Sequence, residues 1–186
     1  MKIESNKIGF KKMDENIQLI FNDMEVIKFW SPELRVPFGV DENFGKHYIR
    51  LELEKENKLH QNLKKIIDKV ENILKKKMDL DDFEMKSIFR RKMGENDLMD
   101  LRLKQIKSKV ITEVEYENKR DNYLKTVYDI EKDSIVKVYL EIHGFWDYRI
   151  EDEKKEHKVG LILNALKIKV LDKKYSRNNQ EDFLTF

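Results

Sequence analysis

The chain has 186 residues, 40% of them charged, with 38 basic and 36 acidic residues and a formal net charge of +2. That length supports one core of ordinary size, and the near balance of charge excludes a uniformly basic nucleic-acid binder, so any such site requires local segregation of charge. There is no cysteine, which excludes disulfides, thiolate metal sites and a thiol nucleophile. The polar N-terminus and the lack of a long apolar run predict an intracellular protein with no signal peptide and no membrane span.

In chain order, residues 1–16 are polar and predicted to be loosely ordered. Residues 17–21 and 24–29 read as two short strands broken at Asn22-Asp23. The segment 29–40 holds both prolines, Pro32 and Pro37. Proline removes a backbone donor and is excluded from central strands. Trp30, Arg35 and Phe38 are therefore expected on a stiff, turn-rich segment, as ligand contacts or as a plug over a barrel end. Residues 47–55 alternate cleanly, with Ile49, Leu51 and Leu53 inward and Tyr48, Arg50, Glu52 and Glu54 outward. Asn57 can cap a helix, and apolar residues from Leu59 to Leu74 recur on one helical face. This predicts a helix over 58–77, with Lys64-Lys65 and the lysines at 75–77 on a solvated face.

Residues 79–100 carry no clear period. Asp79, Asp81, Asp82 and Glu84 read as a solvated acidic loop, with a divalent-cation site as the alternative, and 83–89 as a strand or short helix. From Leu101 the pattern returns. Arg102 and Lys104 oppose Leu101 and Leu103; after a slip at Gln105, Lys107 and Lys109 oppose Ile106 and Val110. These four cations form a candidate phosphate track. Residues 118–122 read as a polar turn and 123–130 as another strand.

The strongest pattern lies between Ser134 and Leu171. Val136, Val138, Leu140, Ile142 and Trp146 alternate with Lys137, Tyr139, Glu141, His143 and Phe145. Such alternation predicts a half-buried strand. A charged turn over 147–156 leads to a second long run, 157–171, apolar on both faces from Val159 to Leu163 apart from Gly160. Two long strands with bulge-prone Gly144 and Gly160 predict a closed or nearly closed barrel. On the first strand Lys137, Tyr139, His143 and Phe145 line the outward face, where rings and cations suit bases beside phosphates. Trp146 falls in phase with the core.

There is no P-loop, no G-x-G-x-x-G, no G-x-S-x-G and no H-E-x-x-H, and the histidines, His47, His60, His143 and His157, show no paired metal-ligand spacing. An enzyme is the weaker reading, and no cofactor or metal is expected.

The segment Trp30-Ser31-Pro32-Glu33-Leu34-Arg35-Val36-Pro37-Phe38-Gly39-Val40 resembles a proline-bounded Pro-Phe-Gly element of proteins from large eukaryotic DNA viruses. A helix like 59–74, a strand ending near a tryptophan like Trp146 and a last long strand like 159–170 complete the likeness. Those proteins are similar to the phage-type single-stranded DNA-binding proteins. The resemblance implies a mainly β, α+β fold: an OB-fold-like Greek-key barrel over residues 1–171 with an appended helix and a long C-terminal hairpin, then a flexible tail over 172–186. It implies non-enzymatic single-stranded DNA binding in viral replication, recombination or repair, at the host cytoplasm or a viral replication site. Trp146, Trp30 and Phe38 would stack on bases; Arg35, Arg50, Arg102, Lys104, Lys107, Lys109 and Lys137 would meet phosphates beside Tyr139, His143 and Phe145. RNA is the alternative ligand, and a homodimer is compatible with the sequence. The tail tip, with Glu181, Asp182, Phe183 and Phe186, suits docking on replication proteins. The alternative reading is a viral structural or interaction module that keeps the barrel and has lost nucleic-acid binding.

Overall fold

The computed structural model describes residues 3–13, 17–81, 84–89, 91–118, 125–149 and 157–174. The strands are β1 (Ile8–Lys12), β2 (Ile17–Asn22), β3 (Glu25–Trp30), β4 (Leu34–Val36), β5 (Val40–Asn43) and β6 (Lys46–Leu53). Helix α1 (Lys58–Lys77) follows, then β7 (Met85–Lys86), β8 (Arg91–Met93), β9 (Asn96–Leu103), β10 (Gln105–Ile106), β11 (Lys109–Val110), β12 (Glu113–Tyr116), β13 (Ser134–Arg149) and β14 (His157–Lys174).

Five of these strands close a ring in the order β4–β6–β9–β14–β13, with β13 returning to β4. All neighbours are antiparallel except β9 and β14, which run parallel with Asn164 opposite Arg102. The protein is thus mainly β, a closed five-stranded barrel of OB-like topology with one α-helix. The alternation of apolar residues explains the closure, since Ile49, Leu51, Leu53, Met99, Leu101, Leu103, Val136, Val138 and Ile168 are all fully buried inside it. β1, β2 and β3 form a meander that continues the sheet from β13.

Two bulges re-aim side chains on the long hairpin. Between Tyr139/Leu140 the register skips Leu166 on β14, and between Ile142/Gly144 it skips His143 on β13. Each extra residue moves the inward phase by one position. Along β13 the even positions point inward up to Ile142, and Phe145 points inward beyond it. Gly144, beside the second bulge, has no room for a side chain: a Cβ there would sit 2.1 Å from the Gln18 carbonyl oxygen.

Helix α1 closes one side of the core with His60, Leu63, Ile67, Val70, Ile73 and Leu74. The Asn57 side chain accepts from the backbone N–H groups of Leu59 and His60, as its sequence position predicts. His60 fixes the helix to two strands. Its Nδ1 accepts from the Glu54 N–H at 3.0 Å, so its Nε2–H donates to the Glu33 carbonyl at 2.7 Å.

Four local expectations are corrected. Residues 3–13 are not a loose leader, because Ile3 and Ile8 are buried and β1 pairs along its length with β2. The part of 123–130 that is described forms a 3₁₀ turn over Val127–Asp129, capped reciprocally by Thr126 and Asp129, rather than a strand. The cations after β9 do not decorate one extended segment: the chain folds into the small β10–β11 hairpin, with Lys107 at its tip in a left-handed conformation. β13 runs to Arg149 and β14 to Lys174, so the hairpin strands extend into the expected turn and tail.

Candidate nucleic-acid interface

A groove of about 390 Å³ crosses the outer face of the barrel, lined by residues of β5, β6, β7, β9, β13 and β14. Its floor carries Tyr48 and Arg50 of β6 with Asp100 and Arg102 of β9, all placed outward by the same alternation that buries Ile49, Leu51 and Leu101. One wall is β5, with Asp41, Glu42 and Asn43; the other carries Trp146, and Lys86 and Arg91 sit beside it. In OB-like barrels this face, between the loop joining the first two barrel strands and the last hairpin, is where oligonucleotides lie.

Most of the groove charge is already matched. Arg50 donates to Asp100 at 2.8 Å and reaches Asp41 at 3.4 Å, while Arg91 lies 3.8 Å from Asp100. Arg102 is different: its Nε is buried with no hydrogen-bond partner, and no carboxylate pairs with it among the described residues. A buried, unmatched guanidinium N–H is costly in an empty site and favourable once an anion enters. Beside it, the Trp146 indole lies flat against Gly160, where a Cβ would come within 2.6 Å of the ring. The glycine therefore makes a seat for the indole, rather than the bulge expected of it.

The remaining sequence-predicted residues fall into three further groups. Phe38, half exposed, has the Arg50 guanidinium 5.9 Å from its ring centroid and so flanks the groove. Lys104, Lys107 and Lys109 follow Arg102 towards the β10–β11 hairpin, which Gln105 ties to the Gly45 carbonyl in the β5–β6 turn. Trp30 and Tyr139 pack ring to ring at 5.4 Å on the outer faces of β3 and β13, with Lys137 paired to Glu33. They form a patch separate from the groove lining.

Two residues are removed from the interface. Phe145 is fully buried and meets Phe10 edge-on at 5.1 Å, because the bulge at His143 turns it inward. The same shift turns Trp146 outward, against its sequence phase. Arg35 is buried between Glu52 and Asp133, so it ties β4 into the barrel rather than facing the groove. Sequence reasoning missed Tyr48, Lys86 and Arg91 as groove residues. Tyr48 was within reach, since it shares the outward phase of Arg50. Glu181, Asp182, Phe183 and Phe186 lie outside the described residues. The acidic loop at Asp81 and Glu84 is closed on itself, the backbone N–H of each donating to the other's carboxylate at 2.8 Å, and among the described residues no cluster of His, Asp and Glu could hold a metal ion.

His143 belongs to a polar cluster beside Arg102. Its Nδ1 donates to Glu141 at 2.9 Å, Asn164 donates to the same oxygen at 3.1 Å, and Lys28 lies 3.6 Å from the other. The His143 hydrogen bond foremost, then that of Asn164, holds the buried Glu141 carboxyl down at about 2, against the opposing effect of burial. A depressed carboxylate pKa contributes stability above its unfolded value and loses it as pH falls through the folded one. Stability of the protein should therefore fall between the ordinary glutamate range and pH 2 in an acid titration, and Glu141→Gln should flatten that window. An unchanged acid limb in Glu141→Gln would remove Glu141 from the account.

No protein-family model matches the chain, and no curated protein matches it in sequence. In three dimensions it is similar to gp2.5, a single-stranded DNA binding protein encoded by bacteriophage T7, with a TM-score of 0.46 and 13% identity, over 86% of this chain and 96% of that one. No helix among the described residues is long and apolar enough to cross a membrane.

Proposed function

We propose that the chain binds single-stranded DNA in the groove across β6, β9 and β14, without catalysing a reaction, and serves replication, recombination or repair of a viral genome. The observation that carries this reading is the unmatched Arg102 guanidinium on the floor of a groove that the Trp146 indole and Tyr48 also line. A strand lying there would place a phosphate on Arg102 and stack bases on the rings, a combination that tolerates any sequence. Phe38 and the lysines of the β10–β11 hairpin extend the path at one end. The Pro-Phe-Gly resemblance supports the viral setting, with the tip residues Glu181, Asp182, Phe183 and Phe186 as a hook for replication proteins.

Titration with oligo-dT, followed by tryptophan fluorescence at several salt concentrations, tests the reading. Arg102, Lys104, Lys107 and Lys109 each supply at most one phosphate contact, and a single strand loses about 0.7 in the slope of log K against log salt per contact. The slope for a short oligonucleotide should therefore lie near −3, and Arg102→Gln should reduce it by about 0.7. Absence of binding at low salt, or binding indifferent to salt, would leave the interaction-module reading in its place.

A further inference from the structure

We propose that the outer face of α1 is a second, stacking-free surface that grips the sugar–phosphate backbone of DNA running beyond the groove. Lys58, Asn62, Lys65, Lys69, Asn72 and Lys76 recur at helical spacing on one stripe, and all six are exposed. No carboxylate stands on the stripe itself, although Asp68 borders it and shares a shallow cleft with Lys65, Lys69, Asn72 and Lys76. The only acidic residues of the helix are Asp68, half-buried and 3.7 Å from Lys64, and Glu71, buried with its carboxylate on the Ile88 N–H. None of the four stripe lysines has an ion pair among the described residues. The stripe spans about 27 Å at the ordinary rise of a helix.

This arrangement works against the free helix. Lys58 opens α1 where the helix dipole is positive and no acidic residue compensates it, and Lys65 and Lys69 repel at one-turn spacing. Folding does not explain why the charged residues of this face are all cations without an ion-pair partner among the described residues. A polyanion does, since it converts the repulsion into binding. The stripe also lacks rings and apolar anchors: Leu59, the one large apolar side chain of α1 that is exposed, lies off it. A protein partner would need such anchors, whereas lysine and asparagine side chains are the ordinary donors to backbone phosphate. The segment from Met85 to Phe89 joins the two surfaces. Ser87 and Ile88 line the groove, while the Ile88 N–H bonds to Glu71 of the helix at 2.7 Å. The proposal rests on the groove reading for the kind of polyanion and extends the path past one barrel face.

The test uses the full chain carrying Lys58→Gln, Lys65→Gln, Lys69→Gln and Lys76→Gln together, since glutamine keeps helix propensity. Its melting temperature should equal or exceed the parent's. OB-fold footprints run to about 16 nucleotides, so an oligo-dT of about 8 should bind it as tightly as the parent. With an oligo-dT of about 30 the salt slope should be smaller by about 3, which is about 50-fold less loss of affinity between about 50 and 200 mM salt. An unchanged slope on the long oligonucleotide overturns the proposal, and loss of polyglutamate binding alongside unchanged DNA binding overturns it in favour of an acidic protein partner. The groove is judged separately by Arg102→Gln on the short oligonucleotide, so either surface can fail without the other.

Discussion

Phe145→Ala and Trp146→Ala, one residue apart, should fail in opposite assays. Phe145 is fully buried against Phe10 at the end of the barrel core, and truncating such a ring costs about 3–5 kcal/mol of stability. Trp146 lies over Gly160 at the groove wall, and losing one stacking ring costs about 1–3 kcal/mol of single-strand affinity. The expected pattern is a large fall in urea midpoint with unchanged affinity per folded molecule for Phe145→Ala. Trp146→Ala should show a smaller fall in midpoint and oligo-dT affinity lower by roughly 5- to 150-fold. If Trp146→Ala melts early and binds normally once folded, its indole is packing and the stacking role is lost.

The same two residues mark the limit of what could be read from the sequence. Period-two alternation locates β6, β13 and β14 and only the end of β9, from Leu101, because strands with one buried face must alternate; the start of β9 lies in the stretch without a period. What alternation cannot carry is phase across a bulge. The extra residue at His143 reverses inside and outside for everything after it, and no residue type announces it, although Gly144 marks the neighbourhood. Arg102 was placed correctly as an outward cation on its strand. Its lack of a carboxylate partner, which Arg50 and Arg91 both have, is not legible in the sequence. Pairing between strands distant in sequence decides which cation is neutralised. Helix α1 shows the converse: its boundaries and cap followed from local chemistry alone, whereas its lysines read as ordinary solvated charge until the placement of Asp68 and Glu71 off the stripe was known.

Arg35 shows how misleading a cation in a loop-like sequence can be, and its substitution should be among the most damaging. Pro32 and Pro37 suggested a presented turn, yet β4 lies between them, paired on one side with β13 and on the other with β6. Arg35 donates from Nη1 to Glu52 and from Nε to Asp133, both at 2.8 Å, and Asn96 donates to the second oxygen of Glu52 at 2.8 Å. Glu52 is only 3% exposed, so its charge depends on that partner, whereas the half-buried Asp133 keeps access to water. Removing one member of a buried pair costs about 3–5 kcal/mol, mostly through the charge left behind, while removing both costs far less. Arg35→Met should therefore lower stability by about that amount, and adding Glu52→Gln should restore most of it, since the glutamine oxygen still accepts from Asn96. Urea melts of the single and double variants measure the difference. A double variant no more stable than Arg35→Met would show that the cost is lost packing of the arginine stem between β4 and β6, and an Arg35→Met protein of normal stability with a shallower salt slope would return Arg35 to the DNA-binding face.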